Sequence, residues 1–288
     1  MARPLRIEYA GAVYHLSSKA EAGAVVFSDD EDRRALLGVI AQAMQRFDAQ
    51  VLAYHLGSHH YELVLYTRQA NLSRLMRHLN GVYTQGFNRR HGGHGHLFQG
   101  RFKAVLVDRE KRLLDVCRYV ELAAVREGLA KSSLAWPWSS HAAHCGNEPA
   151  PDWLDVDGLL GFVQGRPIAG AAERKRAAQR YEKLVASEPG LDIWPHLRHQ
   201  VFLGDAEFAA AQRQLLQTQG RQSTRAASAL RARGWRDWLR DCGSREEALY
   251  RAHTDGGLSM TGLAQELALS VSRVSRLIAA YERAQRSH

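Results

Sequence analysis

Between Arg74 and Arg112 the chain sets nine Lys and Arg against two acids, Asp108 and Glu110, which is most of its formal charge of +9. Each cation that neutralises a phosphate releases counterions, so this density of charge points first to a polyanion. Inside the segment, Arg89-Arg90-His91-Gly-Gly-His94-Gly-His96 is cationic, glycine-rich and free of apolar residues, and reads as a loop. The three histidines have metal-like spacing, but the glycines between them and the arginine pair suit phosphate contact better. Arg101 and Lys103 lie two apart in a strand-like run and so share one side, facing a bound backbone or solvent. Upstream, His59-His60-Tyr61-Glu62 places an imidazole and a carboxylate two apart, which puts His60 and Glu62 on one face and leaves His59 and Tyr61 on the other. From these residues alone, His60 and Glu62 make a hydrogen-bonded pair on a sheet surface.

Such side chains need elements to hold them. Ala12–Ser17 is β-branched and aromatic enough for a strand. Ser28-Asp-Asp-Glu31 has the capping-box pattern, and apolar residues from Leu36 to Phe47 follow at helical spacing, predicting a helix over 29–47. Val51–Leu56 and Tyr61–Tyr66 predict two strands around Gly57. A helix over 72–88 carries Arg74 and Arg77 away from its apolar face. A strand over 98–107 and a helix over 112–126 complete a β-α-β-β-α-β-α order, which predicts an α+β fold with an antiparallel sheet and helices on one face. Residues 152–242 read as helices and loops.

The last segment, Gly257 to Ile278, predicts a short helix with Leu263, Ala264 and Leu267 inward, a turn, and a second helix with Val271, Val274, Leu277 and Ile278 inward. That leaves Ser272, Arg273 and Arg276 outward near the start of the second helix, where a helix-turn-helix contacts bases and phosphates of duplex DNA. A plain helical bundle with a solvated charged face is the competing interpretation.

With 288 residues, 45% apolar, the chain has the composition of one large or two smaller globular domains. No apolar run reaches the roughly 20 residues that span a bilayer, and no apolar core follows the first charges, so neither a membrane anchor nor a signal peptide is expected. Cys117, Cys145 and Cys242 are too few and too scattered for a disulfide framework or a zinc site, which fits a cytoplasmic setting.

Several ordered segments together resemble the REP-associated tyrosine transposases, of the HUH single-tyrosine superfamily. They are Met1-Ala-Arg-Pro-Leu-Arg-Ile-Glu8, Gly11-Ala-Val-Tyr-His15, Asn71-Leu-Ser-Arg74, Phe87-Asn-Arg-Arg-His91, Gly95-His-Leu-Phe-Gln-Gly-Arg-Phe-Lys103, Arg118-Tyr119 and Trp136-Pro-Trp-Ser-Ser140. The match is dense over 1–145 and looser beyond. It implies an RRM/ferredoxin-like palm over 1–145, a helical intermediate region over 146–242 and a helix-turn-helix over 243–288. It also implies that Tyr119 is the nucleophile that joins covalently to a cleaved strand, with Mg2+ or Mn2+ as Lewis acid.

The chain departs from that family's pattern. The second histidine of the metal tripeptide is Glu62, a carboxylate that can still ligate a hard cation. The asparagine one turn after the nucleophile is Ala123, which has no donor, and the histidine two positions after it is Glu121. The expectation is a protein that grips single-stranded or hairpin DNA through Arg74, Arg77, Arg89, Arg90, Arg101 and Lys103, with metal ligands His60 and Glu62 and impaired nicking. Duplex DNA would bind at the helix-turn-helix, no membrane is involved, and the state is monomer or homodimer. An active strand transferase and a transcription regulator are the alternatives.

Overall fold

The structure, a computed structural model, describes residues 7–21, 24–231 and 233–284, with the side chains of 219–231, 279 and 282–284 outside that description. Residues 1–6, which open the family resemblance, lie outside the described residues. The first strand, β1 (Ala12–Lys19), leads to α1 (Asp30–Phe47), β2 (Ala49–Leu56), β3 (His60–Thr67), α2 (Leu72–His91), β4 (Lys103–Val107) and α3 (Arg109–Glu121). These follow the predicted order. Two boundaries differ. The strand expected over 98–107 begins only at Lys103, so Arg101 sits in the bend before it. The cap of α1 falls one residue later than the sequence pattern suggested. Asp29 accepts from the backbone N–H of Glu31 and Asp32, while Asp32 reaches back to the N–H of Ser28.

The sheet has six strands in the order β2-β3-β1-β4-β6-β5. β1 lies antiparallel between β3 and β4, and β2 pairs antiparallel with β3 across a register shift between Val51 and Ala53. The last two strands, β5 (Leu197–Arg198) and β6 (Phe202–Leu203), come from the region expected to hold helices and loops without strands, with β6 parallel to β4. Strands of two residues carry no period for a sequence to display.

Helices cover both faces of the sheet, not one. Tyr61 and Ser18 point to α2, where Asn80 accepts from the Tyr61 hydroxyl and donates to Ser18 Oγ. The alternate residues Val13, Val64 and Val105 face the other way, onto Leu113, Val116 and Val120 of α3. After α4 (Ala123–Arg126) and α5 (His141–His144), α6 (Val156–Gln164) and α7 (Ala171–Ser187) join that second face through Leu159, Leu160, Ala178 and Tyr181. The Trp136–Ser140 segment closes the outer edge of β2: Leu56 N–H donates to the Trp138 carbonyl, and Trp136 Nε1 donates to the Leu56 carbonyl.

Contacts divide the chain into a unit over 1–210 and a unit over 211–288, with α8 (Ala206–Arg231) running from one into the other. The second unit holds α9 (Trp235–Asp241), α10 (Arg245–Thr254), α11 (Met260–Glu266) and α12 (Val271–Ala284) around Trp238, Leu249, Leu263, Val274 and Ile278. Val271, expected inward, is exposed, because α12 begins there and its first turn extends past the packed helices. Ala268, in the turn between α11 and α12, adopts a left-handed φ of 51° that glycine would take at lower cost.

Candidate active site and nucleic-acid interface

The strand alternation that buries Val13 and Val64 under α3 also sends His15, His60 and Glu62 to that face. The register sets His55 of β2 opposite Glu62 of β3. α3 then brings Tyr119 onto the same face, where its ring meets His15 edge-on at 6.1 Å between centroids. His15, His55, His60, Glu62 and Tyr119 are therefore assembled by three strands and one helix.

Glu62 is buried, and its Oε2 lies 3.6 Å from His15 Nε2, while its Oε1 lies 4.0 Å from His60 Nε2. Burial pushes its carboxyl up, but His15, His60 and Arg126 outweigh that and hold it below the usual glutamate value. His60 reaches a nearer carboxylate, Glu127 Oε1 at 3.3 Å. Burial would lower the His60 imidazole, yet the hydrogen bond and charge of Glu127, with Glu62 behind, raise it overall. Glu127 itself is pushed up by burial and pulled down to about 2 by His55 and His60. His55 Nε2 lies 3.5 Å from the same Glu127 oxygen. Donor atoms of His55, His60 and Glu127 all fall within 4.8 Å of one another.

That set suits a divalent cation. His55 is fully buried; its Nδ1 has no hydrogen-bond partner among the described residues, and its Nε2 has only the 3.5 Å approach to Glu127 Oε1. A buried imidazole left in that state costs free energy unless something else engages it. A cation held here would act as a Lewis acid on a phosphate oxygen.

Tyr119 is 8% exposed. Its hydroxyl accepts from Trp194 Nε1 at 2.9 Å, and Arg126 stacks 3.7 Å from its ring centroid and donates to its carbonyl. Burial raises the phenol above its ordinary value, against the lowering by Trp194 and Arg126. Trp194 comes from the turn before β5, far along the chain, and is itself half-exposed. Ala123 is buried and offers no donor, as expected. Glu121 points elsewhere, accepting from Ser140 Oγ, His141 Nδ1 and His144 Nδ1 in a wholly buried cluster.

Of the basic residues, Arg74 and Arg77 are exposed on α2, Arg89 on its last turn, Arg101 in the bend, and Lys103 at the start of β4 opposite Ser17. Arg90 is differently placed, paired with Asp29 at 2.6 Å, Glu31 at 2.8 Å and Asp32 at 2.6 Å, where it ties α2 to the start of α1. Ser272, Arg273 and Arg276 are exposed on the first turns of α12.

His15, His55, Arg126, Glu127 and Trp194 were not legible as site residues. Two carried a usable signal. Once β2 and β3 pair as a hairpin around Gly57-Ser58, His55 must oppose Glu62. Glu127 lies eight residues after Tyr119, two helical turns on, though the break at Leu122 between α3 and α4 obscures that spacing.

Residues 9–123 match the family described as "Transposase IS200 like". No curated protein matches the chain significantly. A solved structure of a REP-associated tyrosine transposase bound to a REP hairpin is 14% identical, with a TM-score of 0.46, covering 52% of this chain and 89% of that one. The matched stretch, 9–123, contains His60, Glu62 and Tyr119, so the similarity to that transposase family spans the candidate site.

Proposed function

We propose that this protein binds single-stranded or hairpin DNA through its transposase palm and cleaves it only weakly, with Tyr119 as nucleophile. The observation that carries the reading is the position of Tyr119, set on the face of His60 and Glu62 yet buried, with its hydroxyl held by Trp194. An in-line attack needs the phenolic oxygen to meet phosphorus, which this hydrogen bond and this burial both oppose. Exposed Arg74, Arg77, Arg89, Arg101 and Lys103 supply the phosphate grip. The helices α11 and α12 act as a helix-turn-helix, with Ser272, Arg273 and Arg276 toward duplex DNA.

A labelled hairpin incubated with Mn2+ tests this directly. Affinity is expected to fall steeply with salt, and a covalent adduct to form slowly, to vanish in Tyr119→Phe, and to form faster in Trp194→Phe, which cannot donate to the hydroxyl. Affinity flat between low and physiological salt would sink the DNA reading. A second reading, a fully active strand transferase, is favoured by the convergence of His55, His60 and Glu127; rapid stoichiometric adduct formation by the unaltered protein would establish it.

A further inference from the structure

We propose that this protein holds a divalent cation on His55, His60 and Glu127, and that Glu62, the residue standing at the second position of the strand-β3 tripeptide, is not a ligand. The inference deepens the reading of the palm as a DNA-cleaving domain and rests on it only for the cation's role.

Four features converge. Glu127 Oε1 lies 3.3 Å from His60 Nε2 and 3.5 Å from His55 Nε2, so one carboxylate oxygen sits beside both imidazoles. Glu62 is turned toward His15, with 3.6 Å between Oε2 and Nε2, and its other oxygen is 4.0 Å from His60. His55 is 0% exposed, with Nδ1 unpartnered among the described residues and Nε2 beside Glu127 Oε1 alone. Gly57 makes the room, since a Cβ there would meet Glu127 Oε2 at 3.0 Å, His60 Cε1 at 3.2 Å and His55 Nε2 at 3.3 Å. All three ligands thus border the one residue in the hairpin that has no side chain.

His60 and Glu127 line a cavity of about 710 Å3, whose walls include Lys19, Ser58, Gln99 and Leu129, while His55 lies buried behind them. A cation seated there would be within reach of a phosphate entering that cavity, with Lys19 supplying a further positive charge. The loss of a donor at Ala123 is made good one helical turn later by Glu127. Two imidazole nitrogens and one carboxylate oxygen suit Mn2+ better than Mg2+, which prefers an all-oxygen shell.

The full-length protein titrated with Mn2+ in the absence of DNA, followed by loss of the aqueous Mn2+ electron paramagnetic resonance signal, tests the assignment. One equivalent should bind, pulsed spectra should show nitrogen couplings from two imidazoles, and Glu127→Gln should weaken binding about tenfold or more. Glu62→Gln should leave the affinity within about twofold, because that residue is outside the shell. Gly57→Ala should weaken binding while circular dichroism and the thermal midpoint confirm the fold. Failure of the unaltered protein to bind Mn2+, coupling to a single nitrogen, or equal losses in Glu62→Gln and Glu127→Gln would each overturn the proposal. Hairpin affinity measured on the same samples without metal reports separately on the function proposed above.

Discussion

The carboxylate two residues after Tyr119 shows how a single buried group can serve the fold beside a candidate site. Glu121 is fully buried and receives Ser140, His141 and His144. Burial pushes its carboxyl up, but His144 and His141 hold it far below the ordinary glutamate value. A folded value below the unfolded one means that this stabilisation is complete above the usual glutamate range and is lost as pH falls through that range toward the folded value. Glu121→Ala leaves two buried histidines without their anion, and a loss of about 3–5 kcal/mol is expected from urea denaturation near neutral pH. A loss under about 1 kcal/mol would show that the cluster does not hold α5 against α3 in solution. None of this was legible beforehand, because Ser140, His141 and His144 meet Glu121 only after the chain has crossed the edge of β2.

At the scale of elements, the basic segment separates into residues that hold the palm together and residues that face outward. Arg90 pairs with three carboxylates around the start of α1, whereas Arg101 and Lys103 are exposed around the start of β4 and enter no ion pair among the described residues. Arg101→Ala and Lys103→Ala are each expected to reduce the slope of log affinity against log salt by about 1 for hairpin DNA, uniformly across sequences. Arg90→Ala should instead lower the thermal midpoint with little change in that slope; the reverse pattern would move Arg90 into the interface. The helices, the hairpin and the order of the first seven elements along the chain were readable because apolar residues recur at 3.6 or 2 along them. The second covered face was not. Val13, Val64 and Val105 sit under α3, but a strand buried on both faces and one buried on a single face differ only by a few polar residues, here His15, Glu62 and Ser18.

Across the whole chain, two units carry exposed cations, the palm at Arg101 and Lys103 and the last helix at Arg273 and Arg276. The helix-turn-helix reading of α11 and α12 assigns the latter pair to duplex DNA. The Arg273→Ala, Arg276→Ala double variant of the full chain should therefore lose duplex affinity by about 1–3 kcal/mol per base-contacting arginine and keep its hairpin affinity, as gel shifts with both probes would record. Equal loss on both probes would mean that one shared surface serves them. Among the described residues no helix is long and apolar enough to cross a membrane.

The sequence by itself determined most of the elements, the basic character of the 74–112 stretch, the resemblance of the N-terminal stretch to a transposase family and the candidates His60, Glu62 and Tyr119, because each depends on neighbours or on fixed short spacings. Only the tertiary structure decided which carboxylate stands beside His60, what covers Tyr119, and which arginine is already engaged. Glu127, His55 and Trp194 reach the site from a helix end, a neighbouring strand and a turn 75 residues beyond Tyr119. A distance in space of 3 Å leaves no mark on such separations, so the meeting of His55, His60 and Glu127 is written in the register of β2 on β3 and in the break after α3.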